Sequence, residues 1–156
     1  MRSFYRGAAY AIAALVFVQA AAIAFGVFGL GRWVEDGGVL DKAAMESDDT
    51  PFPEVAGFIV HGINGQMVIP LVAIVLLVVS FFARIPGGVR WAATIVLLIA
   101  AQVLLGMFGH GAPFLGLLHG ANALLIFSAA VFAARRVGGH HTSTGEPAAV
   151  ATDPGR

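Results

Sequence analysis

The sequence lacks cysteine altogether and is poor in charged residues. Without cysteine it can form no disulfide, no thiolate metal site, no iron–sulfur cluster and no cysteine nucleophile. Charged residues make up 12% of the chain, about half the ~25% that is usual in soluble domains. The formal net charge is zero. Because a nucleic-acid-binding protein needs a basic face for phosphates, this balance argues against that class.

Apolar residues dominate what is present. They form 58% of the 156 residues, and the mean hydropathy is +0.85. They are concentrated in three stretches without charge, at 7–31, 55–83 and 91–134. A membrane-spanning helix needs about 20 residues, so the third stretch is long enough for two crossings. These stretches do not alternate polar and apolar residues as barrel strands do. The chain is therefore predicted to be an all-helical integral membrane protein.

The predicted fold is an up-down-up-down four-helix transmembrane bundle. The third stretch is divided by GHGAP at 109–113, a loop signal. A cleaved signal peptide in place of the first span is an alternative, although the apolar run exceeds the usual length of about 7–15 residues. The predicted limits are about 8–30, 57–83, 91–109 and 114–135 for spans 1 to 4, within a domain 1–137 that has an acidic outer loop at 32–54 and a disordered tail at 138–156.

The placement of charge predicts the orientation. Seven arginines and two acidic residues lie before span 1, between spans 2 and 3, or after span 4. The loop 32–54 instead holds two basic and seven acidic residues. By the positive-inside rule both termini are cytoplasmic and the acidic loop is outside. We therefore expect a protein of a bacterial-type inner or plasma membrane, in contact with membrane lipid.

Two short patterns occur twice in the same order. GVFGLG at 26–31 is followed by HGIN at 61–64, and GMFGHG at 106–111 is followed by HGAN at 119–122. The chain is therefore predicted to consist of two parallel helical-hairpin repeats. The first repeat carries the longer outer loop.

The repeat puts His61 and His119 at equivalent positions near the outer ends of spans 2 and 4. Spans 2 and 4 lie on a diagonal of such a bundle, so the two imidazoles would face each other. This arrangement suits a haem whose iron is bound from both sides. Non-haem iron or zinc would need further histidine or carboxylate ligands, and the spans contain no acidic residue.

Small residues and amides surround the predicted ligands. Glycines recur at steps of three or four residues on one face of spans 1 and 3, where missing side chains would leave room for a macrocycle. Asn64 and Asn122 each follow a histidine by three residues and could orient polar groups. Arg32 and His110 are candidate partners of the propionates. The candidate cofactor-binding residues are Gly26, Gly29, Arg32, Gly62, Asn64, Gln102, Gly106, Gly109, His110, Gly120 and Asn122.

A haem-free alternative explains the same residues differently. Small residues at these spacings also let membrane helices pack closely, and histidines near a boundary can meet lipid headgroups. Polar residues within spans are nevertheless costly and tend to mark sites.

A difference in depth could also separate the two histidines. His61 lies 23 residues before Arg84. His119 lies only 16 before Arg135. The difference corresponds to about 10 Å of helix, which an extension of span 2 or a kink at Pro70 would have to absorb.

Spans 3 and 4 resemble a known family. QVLLG at 102–106 followed by LHGANALLIF at 118–127 is similar to the corresponding segment of haem A synthase. That family has two four-helix halves, each with histidines on its second and fourth helices. One half holds a haem b, and the other hosts the haem that is modified. The resemblance covers about residues 8–134 and implies one haem b per chain with His61 and His119 as metal ligands. Small uncharacterised four-helix membrane proteins are similar as well, since they carry the same His-Gly-x-Asn pattern.

The chain also departs from that family. It has four spans where the family has eight, and it lacks the family's outer cysteine pair. Phe58 stands where the catalytic half has a glutamate, and Gly62 stands in place of an arginine. The resemblance therefore implies haem binding without haem hydroxylation, and no catalytic residue is assigned.

The expected function is electron transfer or haem handling. Ligation by two histidines leaves no open iron position, which favours electron transfer over oxygen chemistry. A second histidine pair near the cytoplasmic side is lacking, so a monomer could not carry electrons across the whole membrane. We therefore expect a redox partner, a larger membrane complex or a homo-oligomer. The alternative is a haem-free membrane protein with a structural, assembly or transport role.

Overall fold

The computed structural model describes residues 1–47, 49–109 and 111–138. Within these ranges the chain is helical or loop, and no strand occurs. Four helices are long and apolar enough to cross a membrane. The prediction of an all-helical chain with four such helices is therefore confirmed. The elements are α1 (Arg2–Glu35), α2 (Lys42–Glu46), α3 (Val55–Ile63), a π-helical segment (Asn64–Val68), α4 (Ile69–Ala83), α5 (Gly88–Gly109), α6 (Pro113–Arg135) and a final 3-10 turn (Arg136–Gly138).

Span 1 is α1, span 2 runs continuously from Val55 to Ala83, and spans 3 and 4 are α5 and α6. Span 1 extends to Glu35, several residues beyond the predicted end. It stops where Gly37 adopts a positive φ of 98°, a conformation that glycine tolerates at a helix C-terminus. The loop that was expected from residue 32 therefore starts after Glu35.

The four spans form a closed ring of neighbours. Span 1 packs against spans 2 and 4, and span 3 packs against the same two spans. Spans 2 and 4 therefore lie on one diagonal, as expected from the order of the spans. We call the end of the bundle at Glu35, Val55 and Pro113 the loop end, and the end at Arg2 and Ala83 the termini end.

The tightly packed core lies towards the termini end. Tyr5 is buried there, and its hydroxyl donates a hydrogen bond of 3.1 Å to the carbonyl of Gly88. Burial of apolar side chains is densest on this side, whereas α3 packs extensively only against span 1. The bundle is consequently less filled between spans 2 and 3 near the loop end. The core cluster comprises Tyr5, Ala9, Ile12, Ala13, Ile69, Ala73, Leu76, Ala83, Ala92, Ile95, Ile99, Ile126, Ala129, Ala130, Ala133 and Ala134.

The long loop folds back onto the end of span 1. Phe52 is buried and stacks on Trp33, with ring centroids 5.5 Å apart. The short helix α2 begins at Asp41, whose side chain accepts a hydrogen bond of 2.8 Å from the amide of Ala44, as helix-capping carboxylates do. The sequence signals had not indicated this helix.

Candidate functional site

His61 and His119 lie together inside the bundle. Their ring centroids are 6.2 Å apart, and the ring planes meet at 50°. Both residues are partly buried. Each lies six residues inside its helix, after Val55 and Pro113 respectively, which corresponds to about 9 Å from the loop end. The predicted meeting of two imidazoles across the diagonal is thus present in the structure.

Each imidazole is held by the backbone of the preceding span. The Nδ1 atom of His61 lies 3.2 Å from the carbonyl oxygen of Gln19. The Nδ1 atom of His119 lies 3.1 Å from the carbonyl oxygen of Gln102. A carbonyl can only accept, so both Nδ1 atoms carry the proton in these hydrogen bonds. This leaves Nε2 as the nitrogen that a metal ion would bind, and metal-ligating histidines commonly have their other ring nitrogen held in this way.

The separation of the rings agrees with two ligands of one metal ion. An imidazole nitrogen binds a first-row metal at about 2.0 Å and lies about 1.1 Å from its ring centre. Two such ligands on opposite sides of one ion have ring centroids about 6.3 Å apart. The observed 6.2 Å is compatible with this arrangement.

Two asparagines form a second polar layer on the termini side of the histidines. The side-chain amide of Asn122 donates to the carbonyl of Leu98 at 2.9 Å and to Oε1 of Gln102 at 2.7 Å. Asn64 donates to the carbonyl of Leu15 at 3.2 Å. Both asparagines are buried. They therefore tie spans 2 and 4 to the spans that precede them.

The two hairpins differ in how fully the buried side-chain amides beside the histidines are hydrogen-bonded. The side chain of Gln19 donates to the carbonyl of His61 at 3.0 Å, but its Oε1 atom is buried without a hydrogen-bond partner. The Oδ1 atom of Asn64 is in the same state. In the second half, Gln102 and Asn122 satisfy each other. Unpaired buried acceptors are costly, so the first half has unused capacity for a hydrogen-bond donor.

The two hairpins can be aligned either by the hydrogen bonds of their histidines or by their glycine patterns, and the two alignments differ. Gln19 and Gln102 occupy corresponding places beside the two histidines. Gly26 follows Gln19 by seven residues, whereas Gly106 follows Gln102 by four. The glycine patterns are therefore displaced by three residues, nearly one helical turn, from the register in which the histidines are held.

Gly106 adjoins the site directly. A Cβ atom at this position would lie 3.1 Å from Cε1 and 3.2 Å from Nδ1 of His119. The ring therefore occupies space that a side chain would need. The equivalent place in span 1, four residues after Gln19, is Ile23, so only the second half uses a glycine here.

The other predicted glycines differ in how closely they are packed. Gly26 and Gly29 are buried where span 1 meets span 2, against Phe58 and Glu54 respectively. These two glycines permit close helix contacts. A Cβ atom added at Gly109 would lie 3.7 Å from the amide nitrogen of Gly116 in span 4, which is an ordinary contact distance. The remaining two, Gly62 and Gly120, have open space beside them.

Of the two candidate propionate partners, Arg32 is not brought to the pair. Arg32 lies thirteen residues beyond Gln19 in the same helix, which is about 20 Å along its axis. Its side chain is exposed and lies 3.9 Å from the carboxylate of Asp36. His110 lies outside the described residues, so its prediction stays open.

The expected difference in depth between the histidines does not separate them. Between His61 and Arg84, span 2 contains the π-helical segment Asn64–Val68, which ends two residues before Pro70. Such segments interrupt regular helix geometry and occur frequently at functional sites. Apolar spacing carries no sign of a π-helix, and Pro70 was the only available indication of irregularity.

The pair offers two imidazole nitrogens as metal ligands, with side-chain amides nearby. In the described part of the chain, no group of three or more histidine, cysteine, aspartate or glutamate side chains could hold a metal ion. Comparison with protein-family models, with curated proteins and with solved structures gives no match to this chain. The candidate function therefore depends on the local geometry and on the resemblance in the sequence.

Proposed function

We propose that the protein binds one haem b between His61 and His119. The observation that supports this proposal best is the 6.2 Å separation of the two rings, with Nδ1 of each fixed by a backbone carbonyl. Two neutral imidazoles on facing helices suit a haem in a four-helix bundle. The donor set therefore fits the iron of a haem better than a small ion that needs three or four protein ligands.

The surroundings provide an apolar setting for the macrocycle. The buried core lies towards the termini end, and α3 makes its extensive contacts with span 1. A groove of about 410 Å³ lies between spans 2 and 3 on the termini side of the histidines, with walls that include Pro70, Ile99 and Val103. Gly106 leaves the ring of His119 the room it occupies. The residues that would hold the haem are thus His61 and His119.

The proposed role is electron transfer or haem handling. Iron held by two imidazoles supplies one-electron chemistry and has no open coordination position for oxygen. The carbonyls of Gln19 and Gln102 hold both imidazoles in their orientation. The side chains named above at the pair, those of Gln19, Asn64, Gln102 and Asn122, are amides and not carboxylates. We therefore propose no hydroxylation of the haem.

The proposal includes an orientation and a repeat. Under the positive-inside rule the arginines at the termini end favour cytoplasmic termini, and the haem would then lie nearer the outer face. The matching hydrogen bonds of the two histidines support two parallel hairpin repeats. A single haem at one depth could not carry electrons across the whole membrane. Such transfer would need a redox partner, a larger complex or a second copy of the chain.

The experiment is an absorption spectrum of the full chain purified in mild detergent from haem-replete cells. We expect the spectrum of a six-coordinate low-spin haem, oxidised and reduced, at one haem per chain. His61→Ala and His119→Ala should each abolish or strongly alter that spectrum. A matched control replaces His140 and His141, which the sequence places in the polar tail, and should leave it unchanged.

Three outcomes would contradict the proposal. A colourless preparation would favour the haem-free alternative, in which the histidines and asparagines serve to bind the hairpins together. A spectrum that neither histidine variant alters would remove the ligand assignment. Two haems per chain would contradict the single site.

A further inference from the structure

A second polar cavity lies at the termini end, far from the histidine pair. Its volume is about 310 Å³, and it is lined by Gly87, Arg90, Trp91, Thr94 and Arg136. Gly87 precedes span 3, and the next three residues lie in its first two turns. Arg136 follows the last residue of span 4. The cavity thus lies where spans 3 and 4 meet the expected membrane boundary.

The side chains of this cavity are held in place by aromatic contacts. The rings of Trp91 and Phe132 have centroids 4.6 Å apart. The guanidinium carbon of Arg136 lies 5.3 Å from the centre of the Phe132 ring, a cation–π distance. Arg136 is therefore positioned beside Trp91 instead of extending freely into solvent.

The cavity has the chemistry of an anion site. Arg90 and Arg136 are both exposed, and neither forms an ion pair with a carboxylate of the described residues. Guanidinium groups bind phosphate through paired hydrogen bonds. The hydroxyl of Thr94 donates to the carbonyl of Arg90 at 2.9 Å and can still accept from a ligand. Two arginines beside one cavity, without a carboxylate partner among the described residues, favour a phosphate group over a neutral ligand.

The surroundings of the cavity favour a lipid as the source of the phosphate. Leu97 lies one turn further along span 3 and is 70% exposed, and Phe132 on span 4 is 47% exposed. An acyl chain could lie along these apolar faces while its phosphate meets the arginines. Tryptophan is also enriched at the interfacial depth, and basic pockets between membrane helices bind anionic headgroups.

We propose that Arg90, Arg136 and Trp91 form a binding site for the phosphate headgroup of an anionic phospholipid. This site is independent of haem, because it lies at the opposite end of the bundle core from the histidines. It requires only that the four helices cross a membrane.

Quenching of Trp91 fluorescence by brominated lipids tests the site. The chain has two tryptophans, so a Trp33→Phe variant leaves Trp91 as the single reporter. The full chain is reconstituted in phosphatidylcholine vesicles that contain a minor fraction of either brominated phosphatidylglycerol or brominated phosphatidylcholine. We expect brominated phosphatidylglycerol to bind beside Trp91 about tenfold more tightly, given the attraction of each arginine for anionic lipid.

Matched variants separate this site from general surface charge. Arg90→Gln with Arg136→Gln should reduce the preference to about one. Arg6→Gln with Arg135→Gln removes the same charge at the same end but outside the cavity, and should leave the preference intact. Arg90→Lys with Arg136→Lys keeps the charge and loses the guanidinium geometry, so it should retain part of the preference even if the glutamine pair does not fold.

Each of the following results would overturn the proposal. Equal quenching by the two brominated lipids in the Trp33→Phe background means that no anionic headgroup is selected. An equal loss in both glutamine pairs means that the surface potential alone attracts the lipid. Competition by inorganic phosphate at constant ionic strength, with complete loss of the preference, means that the site takes free phosphate instead of a lipid.

Discussion

His61 and His119 face each other across the bundle, yet each ring is bound to its own hairpin. His61 bonds to the carbonyl of Gln19 on span 1, and His119 bonds to that of Gln102 on span 3. The orientation of each imidazole is therefore set within a hairpin, whereas the 6.2 Å between the rings is set by how the two hairpins dock. A change that shifts one hairpin against the other should alter the pair without breaking either hydrogen bond.

Gly106→Ala should displace the ring of His119. The added methyl group would lie 3.1 Å from Cε1, so the ring must move by a few tenths of an ångström and its hydrogen bond to Gln102 must lengthen. Nitrogen NMR of the histidine side chains would report the change at Nδ1 whether or not haem is bound. In the haem-bound protein we expect a shifted spectrum and weaker retention of haem.

Gly116→Ala is the matched control for this substitution. Gly116 is also within a span, and no atom lies within 4 Å of a Cβ atom placed there. The alanine should therefore leave the His119 signals in place and raise helix stability by up to about 1 kcal/mol. Equal effects of the two substitutions on His119 would show that Gly106 has no specific relation to the ring.

Asn122→Ala should destabilise the bundle more than Asn64→Ala. The first change removes two hydrogen bonds and leaves Oε1 of Gln102 without its donor. The second removes one hydrogen bond together with an acceptor that is already unpaired. Interhelical hydrogen bonds in membranes are worth about 0.6–2 kcal/mol, so we expect a loss of about 1–2 kcal/mol for Asn122 and less than half of that for Asn64.

Unfolding of both variants in mixed micelles of mild detergent and dodecyl sulfate would measure this difference. Because the two asparagines occupy corresponding positions, each variant serves as the control for the other. A greater loss for Asn64→Ala would mean that its Oδ1 atom binds a donor that stabilises the folded chain.

Gly57→Ala should separate spans 1 and 2. A methyl group at Gly57 would collide with the carbonyl oxygen of Ala22 and approach the amide nitrogen of Gly26 to 2.7 Å. Both contacts are with backbone, which cannot move aside as a side chain does. We expect a loss of about 2–3 kcal/mol from overpacking, measured by the same unfolding titration.

Gly31→Ala provides the comparison for Gly57→Ala. Gly31 lies in span 1, and a Cβ atom added to it would have no other atom within 4 Å. The substitution should be neutral or stabilising by up to about 1 kcal/mol. If both alanines were tolerated alike, the close approach at Gly57 would have no part in joining the spans.

Hydropathy was sufficient to predict four membrane-length helices, because each contains a long, mainly apolar stretch without charge. The meeting of His61 and His119 could be predicted because HGIN and HGAN recur at the same place in two hairpins. The position of Arg32 was not predicted. Span 1 continues past Gly31 and carries that arginine away from the histidine pair. The helix ends where Gly37 adopts a positive φ and not at Gly31, and glycine content alone did not distinguish these two positions.

The backbone contributions to the site could not be predicted. The imidazoles are held by the backbone carbonyls of Gln19 and Gln102. Because every residue has a backbone carbonyl, no side-chain pattern marks these two. The glycine patterns suggested a register three residues away from the one that these hydrogen bonds define. Glycines recur along a whole helix face because they permit close packing. They therefore predict which face of a helix is packed more reliably than they predict the depth of the site along it.

The absence of cysteine allows the orientation of the bundle to be tested directly. We expect Ala43→Cys, in the exposed loop helix α2, to react with a membrane-impermeant maleimide in intact cells, because the positive-inside rule places this loop outside. Ser3→Cys, at the exposed start of span 1, should react only after the membrane is permeabilised. The parent chain has no thiol and provides the blank. Labelling of Ser3→Cys but not of Ala43→Cys in intact cells would reverse the orientation and would put the histidine pair nearer the cytoplasmic face.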